Sequence, residues 1–486
     1  MIPFQLADLI RILPEIVLSG FAILIIMAEP FVVAEHKSRL GWLALAGVAA
    51  ASLAAVRTSL SPGLAFGASV SADAFSLYFI FLLLLVAALT LLGSVNYLQR
   101  DHINHGEFYV LVLTATVGAC IMVSCTELIM IFIGLEISSI STYILAGFKR
   151  HDPLSNESSL KYFLLGSFAT AFFLYGIAFV YGLTGTTNLM ALNERLASPS
   201  LWSPLLWLAM TLMFVGLAFK VSTVPFQVWT PDVYQGAPAP VTAFLSVAPK
   251  AAAFAVLLRI FLGGLASVHG LGFWVIWLSA VLTMCVGNLA AVWQSNVKRM
   301  LAYSAIAHAG YVLVGITAAV AAGNTEGISA VLFYLAAYAL MNVGAFVLIA
   351  HLSGAGERWL EMEEYTGLAY ERPGVAACLT VFLLSLSGFP ATAGFFGKFY
   401  VFRAAIHTHL IGLTIVAVLN SVVSVYYYLR LVVMMYMREG KTQASTASLR
   451  WPLGVALAVS LLGIFCLGLY PSPFVNLATL AASPLP

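Results

Sequence analysis

Apolar residues in this chain come in long, nearly uncharged runs, not in the alternating or three-four spaced stripes of a water-soluble fold. A helix needs about 20 apolar residues to cross the hydrocarbon core of a bilayer. Fourteen runs fit that requirement: 11–28, 40–57, 73–98, 107–124, 127–148, 158–182, 204–228, 239–262, 271–292, 299–319, 326–350, 374–407, 410–437 and 451–470. The first holds Pro14 and Glu15 and lacks a basic leader, so it predicts a retained span, not a cleaved signal. The run 374–407 is too long for one simple span and contains SLSGFPATAG, Ser385 to Gly394. It predicts a helix interrupted at Pro390, like the one in span seven at Pro225, where Pro231, Pro238 and Pro240 follow. Broken helices survive at membrane depth only where protein or water satisfies the freed backbone.

The two breaks occupy matching places. One is fourth in the group of spans four to eight, the other fourth in spans nine to thirteen, and an odd number of spans inverts the second unit relative to the first. The expected architecture is an all-α polytopic membrane protein with about 14 transmembrane helices and two inverted five-helix repeats, each with a broken helix. Its parts are an N-terminal three-helix segment (1–100), a first repeat (105–262, broken near 221–228), a second (271–438, broken near 385–394) and a C-terminal helix (451–470). The match is positional: Lys220 precedes its break and Lys398 follows its own.

Composition agrees. Of 486 residues, 62% are hydrophobic and 9% charged, against about 25% charged in ordinary soluble proteins. A net charge of +2 is too small to suggest nucleic-acid binding. Cys120, Cys125, Cys285, Cys378 and Cys466 lie in apolar runs with no C-x-x-C, which argues against a disulfide framework, an iron–sulfur site or a metal site. They read as small core residues in helices.

Lysine and arginine fix the expected orientation, because they accumulate in cytoplasmic loops. With the N-terminus outside, Lys37, Arg39, Arg100, Lys149, Arg150, Lys298, Arg299, Arg358, Arg372, Arg438, Lys441 and Arg450 all face the cytoplasm. Only Arg11, Arg57 and Arg195 fall on the other side, so both termini are expected to be periplasmic. The acids between Glu357 and Glu371 read as a solvated cytoplasmic loop.

Seven basic residues remain inside spans. Arg259, Arg403 and Arg430 lie near span ends, where long side chains snorkel to the interface. Lys161 is only a few residues past a basic loop and reads either way. Lys220, Lys250 and Lys398 are deep. Surface loops also carry proline and lysine, but a cation at membrane depth costs several kcal/mol by most estimates and usually marks an ion or proton path. Glu136 is a lone acid in mid-span, with Lys220 its natural partner at similar depth. His308 lies near the middle of span ten, either as a structural donor or as a relay titrating near neutral pH.

FKVSTVPFQVWTPDVYQGAPAPVTAFLSVAPKAA (Phe219 to Ala252), NVKRMLAYSAIAHAGY (Asn296 to Tyr311) and LSLSGFPATAGFFGKFYVF (Leu384 to Phe402) resemble the antiporter-like membrane subunits of respiratory complex I. The resemblance covers essentially the whole chain. It implies proton translocation along a central hydrophilic axis in a bacterial inner membrane, coupled to quinone reduction elsewhere. By motif it implies that Glu136, Lys161, Lys220, Lys250, His308 and Lys398 carry the path. Nothing in the chain resembles a nucleotide, flavin, haem or cluster site. NADH, flavin, iron–sulfur clusters and quinone are therefore expected in partner subunits: sister antiporter-like subunits, small membrane subunits and the redox arm, all among lipid. Waters must link the lysines, and a movable Glu136 would switch Lys220, since a nearby carboxylate favours an ammonium that burial penalises. The rival readings are a subunit of a multi-subunit cation/proton antiporter, a subunit of a proton-pumping membrane hydrogenase or formate-oxidising complex, and a non-conducting scaffold.

Overall fold

A computed structural model of the chain describes residues 5–445 and 447–483. Among these, thirteen helices are long and apolar enough to cross a membrane. In order they are Leu13–Phe31, Ser38–Ser59, Ala74–Arg100, Gly106–Ser124, Leu128–Ala146, Pro153–Thr184, Pro204–Val221, Ala239–Gly264, Gly272–Val292, Val297–Ala322, Thr325–Leu352, Ile411–Met437 and Trp451–Leu469. The remaining span, twelfth in the chain, is split into Pro373–Ser387 and Ala393–His407. Every expected span is therefore present, with ends moved by a few residues. Polar N-caps start several of them: the side chains of Asp73, Glu127, Asp152, Asn296 and Asn324 each accept a first-turn backbone N–H.

Both breaks fall where proline and glycine predict, and both use one device. Span seven stops at Val221, Ser222 turns left-handed (φ 63°), and the backbone N–H groups of Ser222 and Thr223 return to Phe219 and Ala218. Span twelve stops at Ser387, Gly388 turns left-handed (φ 89°), and the N–H groups of Gly388 and Phe389 return to Ser385 and Leu384. This paired return is the Schellman termination, which satisfies carbonyls that a helix end would leave free. After the first break the chain resumes as Trp229–Gly236; after the second, as Ala393–His407.

Span eight is the axis of the molecule. Every residue from Ala239 to Leu258 is buried, and the helix packs against spans three, four, seven and eleven. Spans ten and eleven are nearly as enclosed, whereas spans one, six and thirteen keep apolar faces exposed. Spans four and five touch at glycine. A Cβ on Gly118 would lie 2.4 Å from the Ser138 nitrogen, so only glycine permits that approach. Small elements outside the expected spans include a hairpin (Gly63–Ala65 with Val70–Ala72), the helix Leu189–Leu196 and the helix Ser472–Ala481.

The basic loops gather at one end of the bundle. Lys37 bonds Glu29, which also accepts the Gly106 N–H. Arg100 and Lys149 share Asp101, and Arg450 reaches Gln99. At the other end Arg11 donates to the carbonyls of Ser61 and Leu64.

Several side chains depart from their expected settings. Arg259 does not snorkel: it is fully buried, with Nη2 2.9 Å from both Asp73 oxygens and 2.6 Å from Ser76 Oγ, and Nε 2.9 Å from the Val123 carbonyl. Span eight is ringed by other helices, so its end has no interface to reach. Arg403 and Arg430 fit the span-end reading, on Glu326 and on the Val292 and Gln294 carbonyls. Lys298, read as a loop residue, is fully buried, and Glu357 is not solvated: its side chain is 8% exposed and 2.7 Å from Lys298. Glu357 also bonds the Tyr97 hydroxyl and the Ala239 N–H. Cys120 and Cys125 are buried, but Cys466 is exposed.

Candidate functional site

The three deep lysines share one setting: each holds its ammonium over a tyrosine ring, and none has a carboxylate within 4.0 Å among the described residues. Lys220 Nζ lies 4.9 Å from the Tyr143 ring centre, 5.2 Å from that of Tyr162 and 3.3 Å from the Tyr143 hydroxyl. Lys250 Nζ lies 5.4 Å from the Tyr234 ring and has no hydrogen-bond partner among the described residues. Lys398 Nζ lies 5.0 Å from the Tyr311 ring, and it donates to the Ser387 carbonyl at 2.8 Å and to Ser421 Oγ at 3.0 Å. Each ring face attracts a cation by roughly 0.5–2 kcal/mol, which is less than a buried ion pair supplies. An ammonium held by neutral partners can give up its proton without stranding a buried carboxylate.

The breaks position two of these lysines. Lys220 occupies the last turn before the first break, and Lys398 caps the last carbonyl before the second. Each therefore sits at the negative end of a half-helix. The sequence offset (one lysine before its break, one after) conceals a common physical arrangement.

Aromatic side chains join the lysines into a row. Tyr162 stacks on Trp229 at 4.4 Å, and Trp229 meets Tyr234, which faces Lys250, at 6.1 Å. Lys250 and His308 line one cavity of about 10 Å³ with Tyr338, about the volume a single water centre needs. His308 bonds the Tyr334 hydroxyl through Nδ1 at 2.6 Å and the Tyr428 hydroxyl through Nε2 at 3.2 Å. Tyr428 bonds Ser304. Tyr311, under Lys398, accepts from Asn288, which in turn accepts from Tyr427. Along this row the Lys250 ammonium, the Tyr338 hydroxyl and both polar atoms of Asn342 are buried without a partner among the described residues. Buried polar groups are nearly always paired with protein or water, so these atoms mark where water belongs.

Two expected members stand apart. Glu136 is half-buried, has one unpartnered oxygen and lies beyond ion-pair distance from Lys220; Tyr143, two turns along the same helix, takes the place next to the ammonium. Lys161 is 40% exposed and pairs at 2.6 Å with both Glu157 and Asp232, which also binds Arg299. Sequence reasoning missed the tyrosines and asparagines, which in an apolar run look like core filling; the recurrence of a tyrosine beside each deep lysine is visible only in space.

Two ion clusters lie at the two ends of span eight, one on Glu357 beside Ala239 and one on Arg259. At the basic end, burial opposes ionisation of Glu357, but Lys298 and Lys149, with hydrogen bonds from Lys298 and Tyr97, hold its carboxyl at about 2. At the other end, burial again opposes charge on Asp73, yet Arg259 and the Ser76 hydrogen bonds keep it below the usual carboxylate range. Glu29, His105 and Glu107 bring three potential metal-ligand atoms within 4.8 Å of one another, but Glu29 is already bonded to Lys37.

Comparison with known proteins places this geometry. The family model described as NADH:quinone oxidoreductase/Mrp antiporter, TM, matches residues 125–424. NADH-quinone oxidoreductase subunit N 1 of Solibacter usitatus is 46% identical over 483 residues, covering 99% of each chain. Subunit N 2 of Koribacter versatilis is 48% identical over 487 residues, covering 98% of this chain and 97% of that one. Among solved structures, a chain of respiratory complex I from Thermus thermophilus with bound aureothin superposes with a TM-score of 0.81 at 35% identity, covering 96% of this chain and 99% of the other.

Proposed function

The chain belongs to the antiporter-like membrane subunits of NADH-quinone oxidoreductase, in the subunit N branch, and we propose that Lys220, Lys250, His308 and Lys398 form its proton path. The observation that carries this reading is the row of buried ammonium, hydroxyl and amide groups without carboxylate partners, running through the most enclosed helices of the bundle. A proton would pass from ammonium to water to the next base, with His308 bridging Lys250 and the Tyr311–Lys398 end. Glu136, half-buried on span five, is the group through which a neighbouring subunit's charge would act on Lys220. Lys161 would be peripheral, exchanging protons or counter-charge at the basic end.

The two half-helix ends support an inverted repeat of 105–262 and 271–438 as the source of the arrangement, and they are the proposed gates. The gathering of basic residues at one end supports a cytoplasmic face there and periplasmic termini. NADH, flavin, iron–sulfur clusters and quinone would reside in partner subunits, and sister antiporter-like subunits would continue the row. Each proton moved against 100 mV costs about 2.3 kcal/mol, so the aromatic rings between Lys220 and Lys250 would also serve to block leakage.

The test is NADH-driven proton uptake by the whole complex in proteoliposomes. Lys250→Met should lower uptake at least roughly tenfold, the loss general for a required proton-transfer group, with the complex intact. Normal uptake would remove Lys250 from the path. Sodium-dependent proton exchange without NADH would favour an antiporter instead.

A further inference from the structure

At the basic end, a crevice of about 280 Å³ opens between spans three, eleven and fourteen, away from the lysine row. Its polar wall includes Arg100, Arg450, His351, Gln99 and Asn96, and no carboxylate lines it. Asn96 Nδ2 and Arg100 Nη2 are both buried donors without an acceptor among the described residues. The rest of the Arg100 guanidinium is engaged, Nε on Asp101 and Nη1 on the Ala350 carbonyl. Among the described residues, Arg450 bonds Gln99 Oε1, at 3.3 Å. It also precedes the 19-residue helix Trp451–Leu469, whose N-terminus has no side-chain cap and whose first turn supplies Leu453 to the crevice. Two arginines, an amide donor and an uncapped helix start converge on one volume, which is the chemistry that binds a phosphate oxyanion.

The rest of the crevice tells which phosphate. Gly93, Val347 and Leu453 make an apolar wall on the membrane side. Beside Arg450, Trp451 is 65% exposed and stacks on Trp42 at 4.8 Å, as tryptophans do at the headgroup level. A free anion has no use for that wall, whereas a lipid lays its chains along it. We propose that this crevice binds the phosphate headgroup of an anionic phospholipid, with Arg100, Arg450 and Asn96 as donors, in the manner of basic pockets between transmembrane helices.

The experiment uses the intact complex in phosphatidylcholine vesicles containing a photoreactive phosphatidylglycerol, followed by mapping of labelled peptides. Labelling is expected on the segments 93–100 and 447–453, with a photoreactive phosphatidylcholine roughly tenfold weaker. Arg450→Gln and Asn96→Leu should each weaken it roughly tenfold, the effect of one charge-assisted or buried hydrogen bond, while labels elsewhere on the complex persist. Equal labelling by phosphatidylcholine, unchanged labelling in both variants, or no label on either segment would overturn the proposal. Displacement by millimolar inorganic phosphate would also overturn it, in favour of a free-anion site. Because the wild-type comparison of the two lipids needs no variant, a variant that fails to assemble leaves the test intact.

Discussion

Lys398 Nζ lies 2.8 Å from the carbonyl oxygen of Ser387, so the lysine after the break caps the half-helix before it. The geometry depends on Gly388, whose φ of 89° turns the chain and whose Cβ, if present, would meet Lys398 Cδ at 3.1 Å. A side chain in left-handed backbone costs about 1–2 kcal/mol. Gly388→Ala should therefore both destabilise the chain by that amount and reduce proton uptake, whereas Gly412→Ala, with nothing near it, should do neither. Unfolding midpoints and vesicle uptake measured together decide this; full uptake in Gly388→Ala would detach the turn from transport.

Asn342 is fully buried, and neither side-chain polar atom has a partner among the described residues. Replacing it by Leu removes two unsatisfied groups and can be neutral or stabilising. If water on that amide belongs to the path, Asn342→Leu should leave thermal stability unchanged or higher while proton uptake drops severalfold. A variant that is stable and pumps normally would count against a wet axis at this position.

Lys161 and Lys220 both lie inside predicted spans, Lys161 near a basic loop and Lys220 deep, and the structure separates them further. Lys161→Gln loses a half-exposed ion cluster worth about 1 kcal/mol or less and should keep most of its proton uptake. Lys220→Gln should abolish most of it. If the two variants behaved alike, the distinction between row and periphery would be wrong.

Arg259→Gln takes the cation from Asp73, whose side chain is 27% exposed, and breaks the bond to the Val123 carbonyl. Losing charged hydrogen bonds of a half-buried pair costs about 1–3 kcal/mol, so this variant should unfold at a lower temperature. Arg403→Gln, on the half-exposed Glu326, should shift stability by about 1 kcal/mol or less. Equal stabilities would restore the span-end reading of Arg259.

Glu357 gives a pH dependence of defined sign. Its carboxyl titrates at about 2 when folded, against an ordinary 4.5. Its contribution, on the order of 3 kcal/mol, is complete above the unfolded value and is lost as pH falls through the folded one. The unfolding midpoint of the solubilised complex should fall more steeply from about pH 5 to about pH 3 in the wild type than in Glu357→Gln. Parallel curves would mean that the Lys298 and Lys149 contacts do not stabilise the charge.

The fourteen spans, the two broken helices and the deep lysines were legible without coordinates. A 20-residue apolar run, a proline with glycine inside it, and an ammonium far from either end are all readable along one dimension. The structure buries Lys220, Lys250, His308 and Lys398. Hydropathy measures depth along a span. It carries no information about lateral position, whether a side chain at a given depth faces lipid, a neighbouring helix or the centre of the bundle. That is why Arg259, near a span end, reads as an interfacial group, and why Lys298 and Glu357, flanking spans, read as solvated ones. Glu136 does act on Lys220 by charge, but it is Tyr143 that stands beside that ammonium. Tertiary packing alone decided which polar groups meet. It enclosed spans eight, ten and eleven, set a tyrosine face under each deep lysine, and left the Lys250 ammonium and the Asn342 amide without a partner among the described residues.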